Sequence, residues 1–217
     1  DGGTALAEAV IMALSVFRGR RSRVVISRHV HPEYRQTMRT YTQGMDVRYV
    51  GDDDATLSPE ALAAQVDDDT ACLIVQYPDF FGRIHVLAPL AEAAHAHKAL
   101  LVVVCNPIAL GMLQTPGAQG ADIALGEGQP LGNALSYGGP YLGFFACRQE
   151  HVRRMAGRLV GETVDVRGQR GYVLTLSTRE QHIRREKATS NICTNQGLNA
   201  LAAAIYLAAL GKCGLQQ

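Results

Sequence analysis

Ala71-Cys72-Leu73-Ile74-Val75-Gln76 and Ala99-Leu100-Leu101-Val102-Val103-Val104-Cys105 are apolar with no polar alternation, and such runs predict strands buried on both faces. The stretch Val86–Lys98 between them carries its apolar residues at helical spacing. Strand, helix, strand in this order predicts a parallel pair with a crossover. Upstream, Val24-Val25-Ile26 and Met45–Val50 read as two more strands, and downstream Ala121–Leu125 and Tyr141–Cys147 add another two. Helices are expected over Ala5–Phe17 (capped by Thr4), Pro32–Thr42, Ser58–Val66, Arg148–Leu159 and Asn195–Leu210. The prediction is an α/β fold with one open, mostly parallel sheet sandwiched by helices.

Composition narrows the possible functions. The 217 residues are 47% hydrophobic and carry 21 basic against 20 acidic side chains, a formal net charge of +1. That balance argues against a nucleic-acid partner, which calls for a basic excess. The longest apolar runs fall well short of the ~20 residues of a membrane span, so no membrane association is expected. The chain opens on Asp1-Gly2-Gly3-Thr4 with no Met and no basic-then-apolar leader, and it reads as a piece of something longer. Five scattered cysteines in no Cys-x-x-Cys pair point to a reducing, cytoplasmic setting. His95 and His97 are too close in sequence for a helical metal pair, and Asp52-Asp53-Asp54 reads as a solvated turn. No metal site is expected.

In an open α/β sheet, ligands sit outside the carboxyl ends of the strands. The loops there are Ser27-Arg28-His29-Val30-His31, Tyr77–Gly82, Asn106-Pro107 and Gly126-Glu127-Gly128-Gln129. Gly2, Gly3 and Thr4, opening the first helix, could present backbone N–H groups to a phosphate. Ser27 beside His29 and His31 raises a nucleophile and base, but no Gly-x-Ser-x-Gly turn accompanies them; packed or hydrogen-bonded loop histidines are expected.

Four segments carry a resemblance: Gln76–Gly82, Gly126–Gly132, Tyr137–Gly143 and above all Arg179–Gln196. Together they resemble glycine dehydrogenase (decarboxylating) subunit 1, the alpha subunit of the glycine cleavage system P-protein, and the likeness runs from Asp1 to Gln217. It implies the large domain of a fold-type-I, aspartate-aminotransferase-like pyridoxal-phosphate enzyme over residues 1–197, with 198–217 starting a linker helix toward a small domain. It further implies an α2β2 complex with a beta subunit. That complex decarboxylates glycine and hands the aminomethyl group to the lipoyl arm of H-protein.

The resemblance also sets two tests. A Schiff-base lysine is expected a few residues before Gly138-Gly139-Pro140, where an ungapped count arrives at Gln129. An acid is expected opposite the pyridine nitrogen, where this chain has Asn106. Neither residue can play its part: an amide forms no imine, and a neutral side chain holds no pyridinium. Only three lysines exist, Lys98, Lys187 and Lys212, against 18 arginines. Lys98 and Lys212 stand at helix ends, and Lys187 lies in the charged Arg184-Arg185-Glu186 run. The expectation is a subunit with no covalently bound cofactor, pyridoxal phosphate being held by the partner beta subunit. Arg184, Arg185, Lys187, Asn191 and Thr194 are the candidates for an interface or for completing the partner's site. Two other readings stay open: an independently active pyridoxal-phosphate enzyme working through Lys187, or a scaffold for the beta subunit.

Overall fold

A computed structural model describes residues 1–176, 181, 183, 185–188, 190 and 196–217. Helix α1 (Gly2–Val16) leads to β1 (Arg23–Ile26), α2 (Pro32–Tyr41), β2 (Arg48–Val50), α3 (Pro59–Ala63) and β3 (Thr70–Tyr77). Then come α4 (Ala88–Ala96), β4 (Leu100–Cys105), β5 (Ile123–Glu127) and β6 (Gly143–Cys147). A ribbon of β7 (Leu159–Val164) and β8 (Arg170–Thr175) follows, and α5 (Gly197–Gly214), interrupted at Gly211, comes last. Six strands make one sheet in the order β2-β1-β3-β4-β5-β6. The first five are parallel and β6 runs antiparallel to β5.

The absence of polar alternation in the central strands has a direct structural cause. Cys72, Ile74, Val102 and Val104 face a layer built from α1 and α2, with Leu6, Val10, Met12 and Met38. Their neighbours Leu73, Val75, Leu101 and Val103 face the opposite layer, packing on Leu62 of α3 and Leu90 and Ala94 of α4. Both faces are therefore dry, and each large side chain so buried contributes about 1.5–3 kcal/mol. Helix starts follow local chemistry: Pro32 and Pro59 occupy first turns, and the Ser58 hydroxyl accepts from Ala61 N–H.

Several boundaries differ from expectation. Helix α1 begins at Gly2, because the Asp1 carboxylate caps it through Thr4 N–H at 2.8 Å, displacing Thr4 from the cap role. The strand predicted from Met45 shrinks to Arg48–Val50. The helix predicted over Arg148–Leu159 is a short 3-10 turn, Gln149–Arg154, followed by β7. There the Asp165 carboxylate takes the N–H groups of Arg167 and Gln169, making a tight turn that pairs β7 with β8. Asp52 is buried rather than solvated, bonded by Arg39 at 2.6 Å with Arg35 at 3.9 Å.

The chain passes from β1 outward to β2 and returns on the other side of β1 to form β3. Such a reversal of strand order opens a crevice at the carboxyl ends of the strands.

Candidate functional site

At those carboxyl ends lies a cavity of about 150 Å³, lined by His31, Tyr34, Gln76, Asn106, Glu127 and Pro130 among others. His31 caps α2: its Nδ1 accepts from Glu33 N–H, and its own N–H donates to Gln76 Oε1 at 2.8 Å. Burial is the main influence on this imidazole and lowers its pKa, with Glu33 pulling the other way and Arg35 reinforcing the drop. The ring stacks on Tyr34 and meets Phe80 edge-on, with centroids 4.6 and 5.0 Å away.

Asn106 follows β4 and bends its side chain back to accept Ile108 N–H at 2.9 Å. Gln129 follows β5, and its side-chain Nε2 donates to the Asn133 carbonyl at 2.6 Å. Between these two positions sits Glu127. Its Oε1 accepts the backbone N–H groups of Gln129 and Leu142 at 2.9 and 3.0 Å. Its Oε2 accepts Gly2 N–H at 2.9 Å. Tyr34 lies directly over Gly2, where a Cβ would overlap its hydroxyl. Burial, reinforced by the Glu127 charge, pushes that phenol up to about 12.

A second feature borders the cavity. In the loop after β3, buried Asp79 takes the N–H groups of Phe81 and Arg83, each at 2.9 Å, and the Arg83 Nε at 2.8 Å. His85 Nε2 approaches at 3.3 Å and His29 Nδ1 at 3.7 Å. This turn holds Phe80 and Phe81 perpendicular to each other, Phe80 against the ring of His31, which lines the cavity, and Phe81 against that of His29.

The expected site residues separate. Asn106 and Gln129 come to the same rim, on the loops after the adjacent strands β4 and β5. Gly2, Gly3 and Thr4 form the first turn of α1, where the Gly2 and Thr4 amides are engaged by Glu127 and Asp1. Arg185 is exposed in a 3-10 turn, Arg185–Lys187. Arg184, Asn191 and Thr194 lie outside the described residues. Lys98 is exposed just before β4, at the amino end of that strand and so opposite the carboxyl end that borders the cavity. Ser27 and His29 make no nucleophile and base: the Ser27 hydroxyl accepts the His29 backbone N–H, and His29 Nε2 meets Ala55 O. His95 and His97 answer to different carboxylates, Asp122 and Asp68.

Sequence reasoning passed over Glu127, Asp79 and Tyr34. Glu127 had a signal, an acid between two glycines at the end of an apolar strand. Asp79 had a weaker one, as the acid following Tyr77-Pro78 in a turn closed by Gly82. Tyr34 had none, since its position over Gly2 depends on how α1 and α2 pack.

Comparison with known proteins matches the model of the glycine cleavage system P-protein family over residues 1–217. A probable glycine dehydrogenase (decarboxylating) subunit 1 of Carboxydothermus hydrogenoformans is 54% identical over 219 residues, covering 100% of this chain and 49% of that protein. Its counterpart in Thermomicrobium roseum is 56% identical over 220 residues, with the same coverage. The chain thus spans about half the length of these curated relatives. A crystal structure of glycine decarboxylase (P-protein) of the glycine cleavage system, in inhibitor-bound form, superposes with a TM-score of 0.90 at 48% identity, over 99% of this chain and 48% of that one. Cystathionine gamma-lyase from Lactobacillus plantarum shares the fold alone, with a TM-score of 0.55 at 18% identity over 70% of this chain and 38% of that one. The mostly parallel sheet between helix layers is accordingly the fold-type-I architecture. The chain belongs to the glycine cleavage system P-protein family, alongside relatives named glycine dehydrogenase (decarboxylating) subunit 1.

Proposed function

We propose that this chain is the alpha half of a two-subunit glycine decarboxylase and completes the enzyme without itself forming an imine. The observation that carries the reading is Gln129: the side chain at the expected lysine position is an amide, already donating to Asn133 O. Its surroundings agree. Asn106 carries no charge and spends its carbonyl on Ile108 N–H. The strand-end cavity has no lysine among its described lining residues. Pyridoxal phosphate does not fit the residues present, and no step is assigned to it in this chain.

On this reading the cofactor and the decarboxylation of glycine belong to a beta subunit in an α2β2 complex, which passes the aminomethyl group to the lipoyl arm of H-protein. Arg184, Arg185, Lys187, Asn191 and Thr194 are assigned to the interface with that subunit. Residues 1–197 act as the large domain, and 198–217 begin a linker helix. The setting is the cytoplasm; among the described residues no helix is long and apolar enough to cross a membrane.

The test is reductive trapping. The chain is incubated with pyridoxal phosphate, reduced with borohydride and weighed by mass spectrometry, alone and with the beta subunit. The label is expected on the beta subunit only, and a phosphopyridoxyl adduct on Lys98, Lys187 or Lys212 overturns the assignment. In the assembled complex, Arg185→Ala is expected to lower glycine–bicarbonate exchange; unchanged exchange would leave a scaffold role.

A further inference from the structure

We infer that Glu127 is an internal anion: its carboxylate fills the backbone cradle that a phosphate would need, so the strand ends of this chain refuse phosphate-bearing ligands. The inference rests on the functional reading above and gives it a cause at a residue outside the lysine and acid positions.

The geometry is that of a bound anion supplied by the chain itself. Three N–H groups from three separate places converge on the one carboxylate: Gly2 in the first turn of α1, Gln129 just beyond β5, and Leu142 just before β6. The first turn of a helix is where unpaired N–H groups and the positive end of the dipole favour negative charge. Here Glu127 and Asp1 meet that demand, taking the Gly2 and Thr4 amides. Each backbone N–H has one proton to donate, so an incoming phosphate finds the Gly2, Gln129 and Leu142 donors spent.

The carboxylate is also held where it stands. Gly126, immediately before it, passes so close to β4 that a Cβ would overlap the Cys105 carbonyl oxygen. On the other strand, Glu127 pairs with Gly143, whose own missing Cβ leaves room for the Asp1 backbone. The glycines flanking this contact let three backbones approach, and Glu127 ties them together. Tyr34 closes the remaining side, its ring covering buried Gly2. A phosphate dianion arriving at the cavity would therefore meet a fixed negative charge, no donor among these three amides and an aromatic lid.

The experiment uses the full chain, with inorganic phosphate and pyridoxal phosphate as probes. Thermal midpoints are measured in ~10 mM phosphate against chloride at matched ionic strength, and pyridoxal phosphate uptake by equilibrium dialysis without borohydride. The wild type is expected to show neither a shift nor uptake. Glu127→Ala frees the three amides and is expected to gain a phosphate-dependent rise of about 3–6 °C, the shift produced by a Kd near ~1 mM. Should Glu127→Ala fail to fold, Glu127→Ser decides, since its short hydroxyl cannot reach the three amides that the Glu127 carboxylate takes. A folded variant with no gain overturns the inference, as does uptake by the wild type. Reversible uptake without an adduct sinks this inference alone, whereas a borohydride-stable adduct sinks the functional reading.

Discussion

Removing Asp79 should release the aromatic turn packed on His29 and His31, and the structure indicates by how much. One carboxylate oxygen takes Phe81 N–H and Arg83 N–H, and the other takes Arg83 Nε. Hydrogen bonds to a buried charged acceptor are worth about 1.5–3 kcal/mol each. The two amides regain water when the turn opens, so the low end applies and together they supply about 3 kcal/mol. The Arg83 side chain is half exposed, and its ion pair adds at most about 1 kcal/mol. Asp79→Ala is thus expected to cost about 3 kcal/mol, a fall in thermal midpoint of about 6–12 °C for a chain of this length. Asp79→Asn can keep one acceptor toward both amides and should cost about 1 kcal/mol. If the loop opens locally first, the free energy of that opening limits the global loss, and it registers as faster exchange at the Phe81 and Arg83 amides.

The pH dependence gives a second readout. Burial alone would raise the Asp79 carboxyl, but the bonds from Arg83 N–H, His85, the Arg83 side chain and Phe81 N–H outweigh it and hold the pKa below 3.8. A depressed folded pKa means the stabilisation is complete above the unfolded value and is lost as the pH falls through the folded one. Urea midpoints of wild type and Asp79→Ala should therefore differ at pH 7 and converge in strong acid. Equal midpoints at pH 7 with unchanged exchange at both amides, or a gap that persists in acid, would refute the role assigned to Asp79.

Three further outcomes follow from the same structure. Burial pushes the Cys72 and Cys105 thiols up to about 12, so at pH 8 only about one molecule in 10⁴ is thiolate; peptide mass spectrometry after iodoacetamide should find both unmodified in the native chain and exposed Cys213 labelled. Gly126→Ala drives a methyl into the Cys105 carbonyl and the Phe144 ring and should cost about 3 kcal/mol, a drop of about 6–12 °C by calorimetry; an unchanged midpoint would show that the strands yield. Gln129→Lys with Asn106→Asp, Glu127 retained, should take no borohydride-stable label from pyridoxal phosphate, and labelling should appear once Glu127→Ala is added. Equal labelling of the double and triple variants would contradict this.

The sheet was readable from sequence because burial on both faces leaves a local mark: Leu73 and Ile74 sit in different layers, yet both must be apolar. Helices α2 and α3 were readable from Pro32, Ser58 and Pro59. What escaped depended on distance along the chain or on a single side chain reaching back. The β7–β8 ribbon is held by a turn around Asp165, whereas the preceding Arg148–Leu159 stretch carries helical spacing that its 3-10 turn uses only in part. Asp52 resembled a solvated acid because Arg35 and Arg39 reach it from another element. Within the site, Asn106 and Gln129 were legible as residue types unfit for their expected parts. Glu127 was legible only as an acid between two glycines and its part was not, since its donors stand at positions 2, 129 and 142 and converge only when α1 docks on β5 and β6.

On the reading proposed above, these three residues form one arrangement rather than three separate departures from the expected site. Val104 and Leu125 are paired across β4 and β5, so the loops carrying Asn106 and Glu127–Gln129 leave the sheet side by side. A lysine placed there reacts with an aldehyde only as often as the aldehyde is held nearby, and proximity supplies much of any such rate. A pyridinium acid acts only on a ring already seated, and a phosphate cradle seats the ring only while its amides are unspent. Each feature depends on the other two, so restoring the reactive pair leaves nothing to bring the cofactor in while Glu127 holds the amides. The same carboxylate ties α1 to the segments around β5 and β6, so its place in the molecule is accounted for by the fold with no ligand of its own. On the reading proposed above, the strand ends keep the layout of a cofactor site and use its central anion contact as internal scaffolding.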